Sequence, residues 1–341
     1  MVKRVTIADV AAKAGLSKTA VSLILNDRPD SRLSPSTAER VREIAQELNY
    51  RPNPAARTLR MGKTPTIGFI SDDVTLTRYA SAMIRGLLDV AEEHDHTVLI
   101  AETGHHPERL GGVLDAMLDR RAAGLIFGSM AAREVAIPEL PSDVPVVMLN
   151  ATASVPLPVV LPDEFAAGSA IAQVLVDAGH RDRIALVGRM TPEQLSPSVS
   201  VTIAARFAGI DGVLAANGIR LVAEENVRLW EPEAGYLSAQ KLLARGVDLS
   251  AIICLNDNLA FGVYQALQDA GLRVPDDVSI VSFDDDVLAS YLRPKLTTAR
   301  IPYEQMGRKA MELVLSGDLE PGQRLVPMPL QLRDSVRRLH E

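Results

Sequence analysis

The chain has 341 residues, of which 47% are hydrophobic and 4% aromatic. At ~100 to 200 residues per domain, this length predicts more than one compact unit. No stretch approaches the ~18 uninterrupted apolar residues of a membrane span, and the N-terminal sequence lacks the apolar run of a secretory signal. We therefore expect a soluble protein that is not exported and that works in the cytoplasm.

The charge of the chain is divided unevenly along its length. The net charge is -7, yet residues 1–63 contain 12 Lys and Arg against 6 Asp and Glu, a balance of +6. The remaining residues contain 24 against 37, a balance of -13. A basic segment attached to an acidic body is typical of a protein that meets phosphate at one end only.

Two short helices are predicted near the N-terminus. Thr6 and Asp9 have the spacing of a capping box, so a helix should begin after Thr6 and end at Gly15. Ser17 can cap a second helix that begins at Lys18. Two short helices joined by a turn that contains glycine form a helix-turn-helix, whose second helix enters the major groove of DNA.

The register of the second helix separates its two faces. Val21, Ile24 and Leu25 are spaced to face a small core, which a third helix beginning at Ser34-Pro35 would close. An ordinary helical subdomain with a solvated basic face is the alternative explanation of this pattern. On the DNA-binding interpretation, the face toward DNA carries Lys18, Thr19, Ser22, Leu23 and Asn26.

From residue 63 onward, short β-branched runs alternate with amphipathic runs of helical period. Strands are predicted at 66–70, 97–101, 124–127, 144–149, 184–187, 251–255 and 278–283. Helices are predicted at 80–93, 168–178, 204–217, 232–245 and 258–270. This alternation predicts parallel sheets with helices on both faces. The span is too long for one such unit, so we expect two α/β lobes with a ligand between them, near the carboxyl ends of the strands.

Several strings carry a resemblance to a known family. In the head they lie at 6–11, 15–22, 48–53 and 56–59, and in the body at 179–188, 206–209, 256–257, 281–285 and 294–298. With these strings the chain resembles the lactose-repressor (LacI) family of bacterial transcription regulators. The resemblance implies an N-terminal all-α helix-turn-helix domain plus a hinge helix, followed by a two-lobed α/β sensor domain like the periplasmic binding proteins, with parallel sheets.

The domain limits that we expect follow the same resemblance. A headpiece occupies 1–51, a hinge 52–63, and an effector-binding and dimerisation domain 64–341. Within that domain, we predict lobe one at about 64–161 and 292–325, and lobe two at about 162–291 and 326–341.

The resemblance also implies which residues bind. It places Lys18, Thr19 and Leu23 at base-reading positions and makes Leu59 the hinge leucine that inserts into the central minor-groove step, which kinks the DNA. The full set predicted to contact DNA is Thr6, Ser17, Lys18, Thr19, Ser22, Leu23, Asn26, Asn53, Ala56 and Leu59. The implied effector contacts are Leu76, Tyr79, Arg206, Trp230, Asn256 and Asp284, with Asp163, Ser200 and Thr202 as weaker candidates.

The chemistry of these effector contacts fits a sugar. Arg, Asn and Asp exchange hydrogen bonds with hydroxyls, and Trp230, the only tryptophan, can stack on an apolar ring face. Each residue also has a structural explanation: Trp230 could lie in the core, Asn256 could cap the following helix, and Arg206 could lie on a solvated face.

Other chemistries find little support in the sequence. His94, His96, His105 and His106 could bind a metal, but the ligand spacing of known metal sites is absent. The carboxylates of 284–286 have no legible nucleophile or acid-base partner, so we predict the edge of a pocket there and no catalysis. We expect no enzyme activity, no metal and no cofactor.

We predict a homodimeric repressor that binds near-palindromic double-stranded operator DNA, because two symmetry-related heads read two half-sites. A small-molecule effector, expected to be a sugar or sugar derivative, should control the operator affinity. The sequence leaves open whether the effector releases the DNA or is needed for DNA binding, and we expect release. The tail from Arg333 to Glu341 lacks leucine heptads, so a dimer is the expected oligomer. The residues leave open two alternatives, a two-lobed solute-binding protein without a gene-regulatory role and an enzyme built on the α/β lobes.

Overall fold

The computed structural model describes residues 5–25, 34–50, 64–75, 78–104 and 106–339. The chain divides into two compact units, Met1–Thr64 and Pro65–Glu341. Each unit has its own hydrophobic core. No helix among the described residues is long and apolar enough to cross a membrane.

The described residues of the first unit form three helices around a small core. They are α1 (Ile7–Ala14), α2 (Lys18–Leu25) and α3 (Pro35–Glu47). The side chains buried between them are small or branched apolar residues: Val10, Ala11, Ala14, Val21, Ile24, Val41, Ile44 and Ala45. This packing is the one that the helical spacing of the sequence predicted.

The helix ends of the first unit are fixed by local hydrogen bonds. Both the backbone N and Oγ1 of Thr6 donate to the Asp9 carboxylate, at 2.8 and 2.7 Å. Gly15 ends α1 with a φ of 71°, in the left-handed region that glycine adopts without strain. The Ser17 Oγ accepts from the backbone N of Ala20 at 3.1 Å, which fixes the start of α2. The predicted helix-turn-helix is therefore confirmed down to its caps.

The first of two sheets in the second unit is entirely parallel, with the strand order β11-β5-β4-β3-β1-β2. Its strands are β1 (Thr66–Ser71), β2 (Thr97–Glu102), β3 (Gly124–Glu134), β4 (Val146–Thr152), β5 (Pro158–Pro162) and β11 (Gly322–Val326). Helices α4 (Arg78–Glu93) and α11 (Tyr303–Ser316) cover one face, and α5 (Leu110–Asp119) covers the other.

The second sheet has the order β12-β10-β9-β8-β6-β7 and is parallel except for β12. Its strands are β6 (Ile184–Arg189), β7 (Ala223–Asn226), β8 (Ala251–Cys254), β9 (Ser279–Asp284), β10 (Thr297–Arg300) and β12 (Leu330–Gln331). The helices of this half are α6 (Glu164–Asp177), α7 (Ile203–Ala216), α8 (Pro232–Ala244), α9 (Asp257–Asp269) and α10 (Val287–Tyr291).

The predicted fold class is confirmed by these helices and by the two sheets, whereas the hinge at 52–63 lies outside the described residues. One lobe limit is wrong. The predicted first-lobe segment 292–325 contains β10, yet Thr297 and Thr298 pair with β9 of the second sheet. The chain therefore passes to the first sheet only after Arg300, where α11 packs against α4.

Candidate functional site

The first candidate surface is the solvent-facing side of α2. Lys18 and Thr19 are exposed in the first turn of this helix, and Ser17 and Thr6 are exposed at the two caps. Ser22 and Leu23 are partly exposed on α2. The predicted DNA contacts Asn26, Asn53, Ala56 and Leu59 lie outside the described residues. None of the six described positions belongs to the buried core of the first unit.

The second candidate site is centred on Arg206, in the first turn of α7. Its side chain is only 2% exposed, and its Nε and Nη2 donate to the two carboxylate oxygens of Glu164 at 2.7 and 2.8 Å. Its Nη1 donates to the Leu255 carbonyl. Burial opposes the guanidinium charge, but the attraction and hydrogen bonds of Glu164 outweigh burial and raise the pKa of Arg206. Arg206 is thus a buried cation, not a residue of a solvated face.

Aromatic rings surround the same guanidinium. The Arg206 Cζ lies 4.3 Å from the ring centroid of Phe283 and 5.7 Å from that of Trp230. The Trp230 indole N–H donates to the Gly188 carbonyl at 3.0 Å. Asn256 caps α9 by accepting from the Leu259 backbone N, and its Nδ2 donates to the Trp230 carbonyl at 3.1 Å. These bonds hold Trp230 and Asn256 beside Arg206, and Trp230 remains partly exposed.

Asp284 ends β9 in an unusual conformation. Its φ is 106°, a backbone region that L-residues rarely adopt and that persists only where the surroundings hold it. Burial raises the pKa of Asp284 to about 6, against the attraction of Arg206, and Glu164 and Asp286 act in the same direction as burial. Asp284 is therefore a carboxyl group whose pKa burial raises, although Arg206 lies beside it.

The two other carboxylates of the 284–286 run have separate roles. Asp285 accepts from Arg300 Nε at 2.7 Å and also from Arg333 Nη2, so it fixes the C-terminal segment to the second sheet. Asp286 caps α10 by accepting from the Leu288 backbone N at 2.8 Å. These contacts are structural and fix the loop that follows β9.

A tyrosine pair connects the first half of the body to this loop. The Tyr79 hydroxyl, on α4, donates to Asp286 Oδ2, and the Tyr79 ring stacks on Tyr303 of α11 with the centroids 5.4 Å apart. Burial, followed by the hydrogen bond to Asp286, raises the pKa of Tyr79, so the phenol remains a proton donor at neutral pH. The Asp286 backbone N in turn donates to the buried Asp257 at 2.7 Å.

The described effector candidates therefore fall into two groups. Arg206, Trp230, Asn256 and Asp284 meet at the carboxyl ends of β6, β8 and β9, and Tyr79 approaches from the other lobe. Asp163 caps α6 by accepting from the Ala166 backbone N at 3.0 Å. Leu76 lies outside the described residues. Thr202 is buried before α7, and Ser200 Oγ accepts from the backbone N atoms of Thr202 and Ile203.

Sequence reasoning missed Glu164, Asp257, Phe283 and Tyr303, which complete the cluster together with Asp286. Glu164 and Arg206 are 42 positions apart in the chain, so no local spacing connects them. The one available signal for Glu164 was a charged residue directly after a capping aspartate in an otherwise apolar helix.

The residues considered for metal or nucleophilic chemistry have ordinary roles. No group of three or more His, Cys, Asp or Glu suited to a metal ion occurs in the described part of the chain. His106 pairs with Glu108, His96 contacts the His94 carbonyl, and His105 lies outside the described residues. Cys254 is fully buried in β8, where burial raises the pKa of its thiol.

Comparison with known proteins identifies the protein family that has this architecture. The lacI family of bacterial regulatory proteins matches residues 6–53, and a periplasmic binding protein-like domain matches residues 172–336. The chain is 32% identical to catabolite control protein A of Priestia megaterium over 91% of both chains. It is 31% identical to the ribose operon repressor of Haemophilus influenzae over 97% of this chain and 98% of that protein.

Solved structures agree with these relatives. The lac repressor dimer bound to operator and the anti-inducer ONPF matches 98% of this chain and 100% of that one, with a TM-score of 0.75 and 26% identity. A helix-turn-helix head followed by a two-sheet effector-binding body defines a ligand-controlled transcription regulator. The chain belongs to the lacI family of bacterial regulatory proteins. It is a DNA-binding transcriptional repressor with an effector-binding domain, and this family of regulators is not enzymatic.

Proposed function

We propose that the protein is a homodimeric repressor that binds a near-palindromic operator in the cytoplasm and releases it when a sugar or sugar derivative binds. The observation that carries the proposal is the cluster of Arg206, Trp230, Asn256 and Asp284 at the carboxyl ends of the second sheet. Ligands of open α/β sheets bind at this edge of the strands.

The DNA-binding half of the proposal rests on the exposed first turn of α2. Lys18 can donate to guanine or phosphate, Thr19 can contact a thymine methyl, and Leu23 offers apolar contact. Leu59 is proposed as the wedge in the central minor-groove step. The similar lac repressor is a dimer in its operator complex. A twofold dimer of this chain would present two copies of α2 to two half-sites.

The sugar half of the proposal rests on the types of the clustered side chains. A charged guanidinium, an amide and a carboxyl group can exchange several hydrogen bonds with hydroxyls, and a partly exposed indole can cover an apolar ring face. Two similar proteins are named for sugars: the ribose operon repressor, and the regulator CelR, whose cellobiose complex has a TM-score of 0.62 at 25% identity.

Release of DNA requires that the effector favour one arrangement of the lobes over the other. The bond from Tyr79 of α4 to Asp286 joins the two lobes at the site, and the stack on Tyr303 of the same lobe holds Tyr79 in place. A sugar that bonds to Asp284 and Arg206 would bind next to this junction. Its contacts could then bias the lobes, and through them the linker to the heads.

The proposal is tested by selection of random-sequence DNA with the purified chain, with and without a panel of sugars. We expect enrichment of a palindrome whose yield falls in the presence of one sugar. Failure to enrich any sequence, with a sugar still bound, would instead indicate a solute-binding protein without a gene-regulatory role. In that case the basic head would need another explanation.

A further inference from the structure

The side chains that act on one another around Arg206 have an excess of negative charge. Arg206 is the one cation of this group within the described ranges. Four carboxyl groups face it or one another: Glu164, Asp257, Asp284 and Asp286. The phenols of Tyr79 and Tyr303 lie in the same cluster and are not cations.

Glu164 already neutralises that cation. A guanidinium has five N–H donors, and the contacts to Glu164 and Leu255 occupy Nε, Nη1 and Nη2 of Arg206. The pairing with Glu164 is bidentate, with both side chains at most 3% exposed. Bidentate pairs between Arg and carboxylate are the strongest of the charged hydrogen bonds, so this contact is a fixed part of the site.

Two N–H donors of Arg206 remain, but an anionic ligand would have to compete with Glu164 for the positive charge of Arg206. If it displaced Glu164, a buried carboxylate would be left without its cation, which is strongly unfavourable. If it did not, its charge would lie beside Glu164, Asp284 and Asp286, while Arg206, the cation of this cluster, is already paired with Glu164. A hydroxyl or an ammonium group meets neither obstacle, because it can donate a hydrogen bond to a carboxylate oxygen.

We propose that Glu164 is a specificity-determining residue that restricts the effector to molecules without negative charge. Neutral sugars and amino sugars fit this restriction, whereas sugar phosphates and sugar acids are excluded. The inference rests on the proposed function, because it concerns the effector of the same site.

The test uses the full chain at neutral pH and four forms of each sugar: the neutral sugar, the amino sugar, the phosphate and the uronic acid. Binding is measured by calorimetry, and operator release by fluorescence anisotropy. We expect the ligand that binds and releases DNA to be neutral or cationic. We expect Glu164→Gln to bind the anionic forms roughly tenfold or more tightly than the natural chain does, because Arg206 would then lack its anionic partner.

Two further variants control for damage to the fold. Glu164→Asp keeps the charge and should keep the exclusion of anions. Glu225→Gln removes a carboxylate from another Glu-Arg pair of this lobe, the 2.8 Å contact with Arg245, and should not change the charge preference. If Glu164→Gln does not fold, the charge of the ligand that the natural chain binds decides the question alone.

The possible outcomes distinguish the role of Glu164 from sugar-controlled repression. A natural chain that binds an anionic sugar most tightly and then releases DNA would overturn the role of Glu164 and leave sugar-controlled repression standing. An equal preference for anionic forms in the natural chain and in Glu164→Gln would also overturn it. If no form of any sugar binds, the proposed function and this inference fail together.

Discussion

His180 shows how one buried side chain connects sequence to pH behaviour. It lies before β6 with its Nδ1 3.0 Å from Ser250 Oγ and its Nε2 3.1 Å from Ser279 Oγ. Burial lowers the pKa of His180 to about 4. The folded state therefore holds a neutral imidazole that links three strand ends of the second sheet.

We expect this histidine to make the fold sensitive to acid. Its folded pKa is below the unfolded value of 6.5, so its contribution to stability is present above pH 6.5 and is lost as the pH falls toward 4. The loss in the free energy of unfolding should be about 1–3 kcal/mol. Urea denaturation across this pH range should show a smaller loss of the free energy of unfolding for His180→Gln than for the natural chain. If the free energy of unfolding changed with pH identically in the natural chain and in His180→Gln, His180 would not titrate in this way.

The pKa of Asp284 is shifted upward, so its effect on stability changes with pH in the direction opposite to that of His180. Its folded pKa of about 6 lies above the ordinary aspartate value of 3.8, so its favourable contribution to stability is present below pH 3.8 and is lost as the pH rises through 6. Asp284→Asn should then raise the free energy of unfolding at neutral pH by about 1–3 kcal/mol, while it weakens effector binding. Denaturation and ligand titration of the same variant test both effects.

The neighbouring carboxylate supplies the control. Asp285→Asn should lower the free energy of unfolding, because Asp285 bonds to Arg300 and Arg333. A gain of stability from Asp285→Asn, or a loss from Asp284→Asn, would contradict the assigned roles.

At the scale of elements, two glycines set the distance between α6 and α7. A Cβ at Gly168 would lie 2.2 Å from the Arg206 carbonyl oxygen, and a Cβ at Gly209 would lie 2.2 Å from that of Phe165. Only glycine permits backbones to approach this closely. Since α6 carries Glu164 and α7 carries Arg206, the contact between the helices also positions the ion pair of the site.

Gly209→Ala should therefore damage both the fold and the site. Overpacking of this kind costs about 1–3 kcal/mol in the free energy of unfolding, and the ion pair should be displaced. Gly212→Ala on the same helix meets no atom within 4 Å and should be neutral or stabilising by up to ~1 kcal/mol. Thermal denaturation and ligand titration of the two variants measure these effects. Equal stability and equal ligand affinity of Gly209→Ala and Gly212→Ala would contradict the close packing of α6 on α7.

Elements with strong local signals could be predicted from the sequence. The caps at Thr6, Gly15 and Ser17 identified the ends of α1 and the start of α2 because each cap forms within a few residues. Helix α5 was missed because it begins Leu110-Gly111-Gly112, and glycine disfavours helix. Strand β10 was assigned to the wrong lobe because its pairing with β9 is decided by tertiary contacts.

The site was predictable only in part for the same reason. The resemblance supplied Arg206, Trp230, Asn256 and Asp284, which the structure brings together. It did not supply Glu164, whose role depends on a partner that is distant in the chain. Charge balance in a binding site is a property of the folded arrangement, so the sequence alone could not indicate the sign of the ligand.

At the scale of the whole molecule, the division of charge predicts a strong effect of salt. The head region 1–63 has a balance of +6 and the rest of the chain -13. Operator affinity should fall by about a thousandfold or more between ~50 and ~200 mM salt, as counterions released from phosphates dominate such binding. Filter binding across this range measures the slope, and a flat response would argue against DNA contacts from the basic head.

Occupancy of the Arg206 site should control the affinity of the protein for its operator. Trp230 is the only tryptophan of the sequence and lies beside Arg206, so its fluorescence should report occupancy of the proposed site, while the anisotropy of labelled operator reports DNA binding in the same sample. We predict that the operator affinity falls by roughly 5- to 150-fold in step with saturation of the tryptophan signal, as for a coupling of ordinary size. Saturation of that signal with no change in operator affinity would show that a ligand at this site does not control DNA binding.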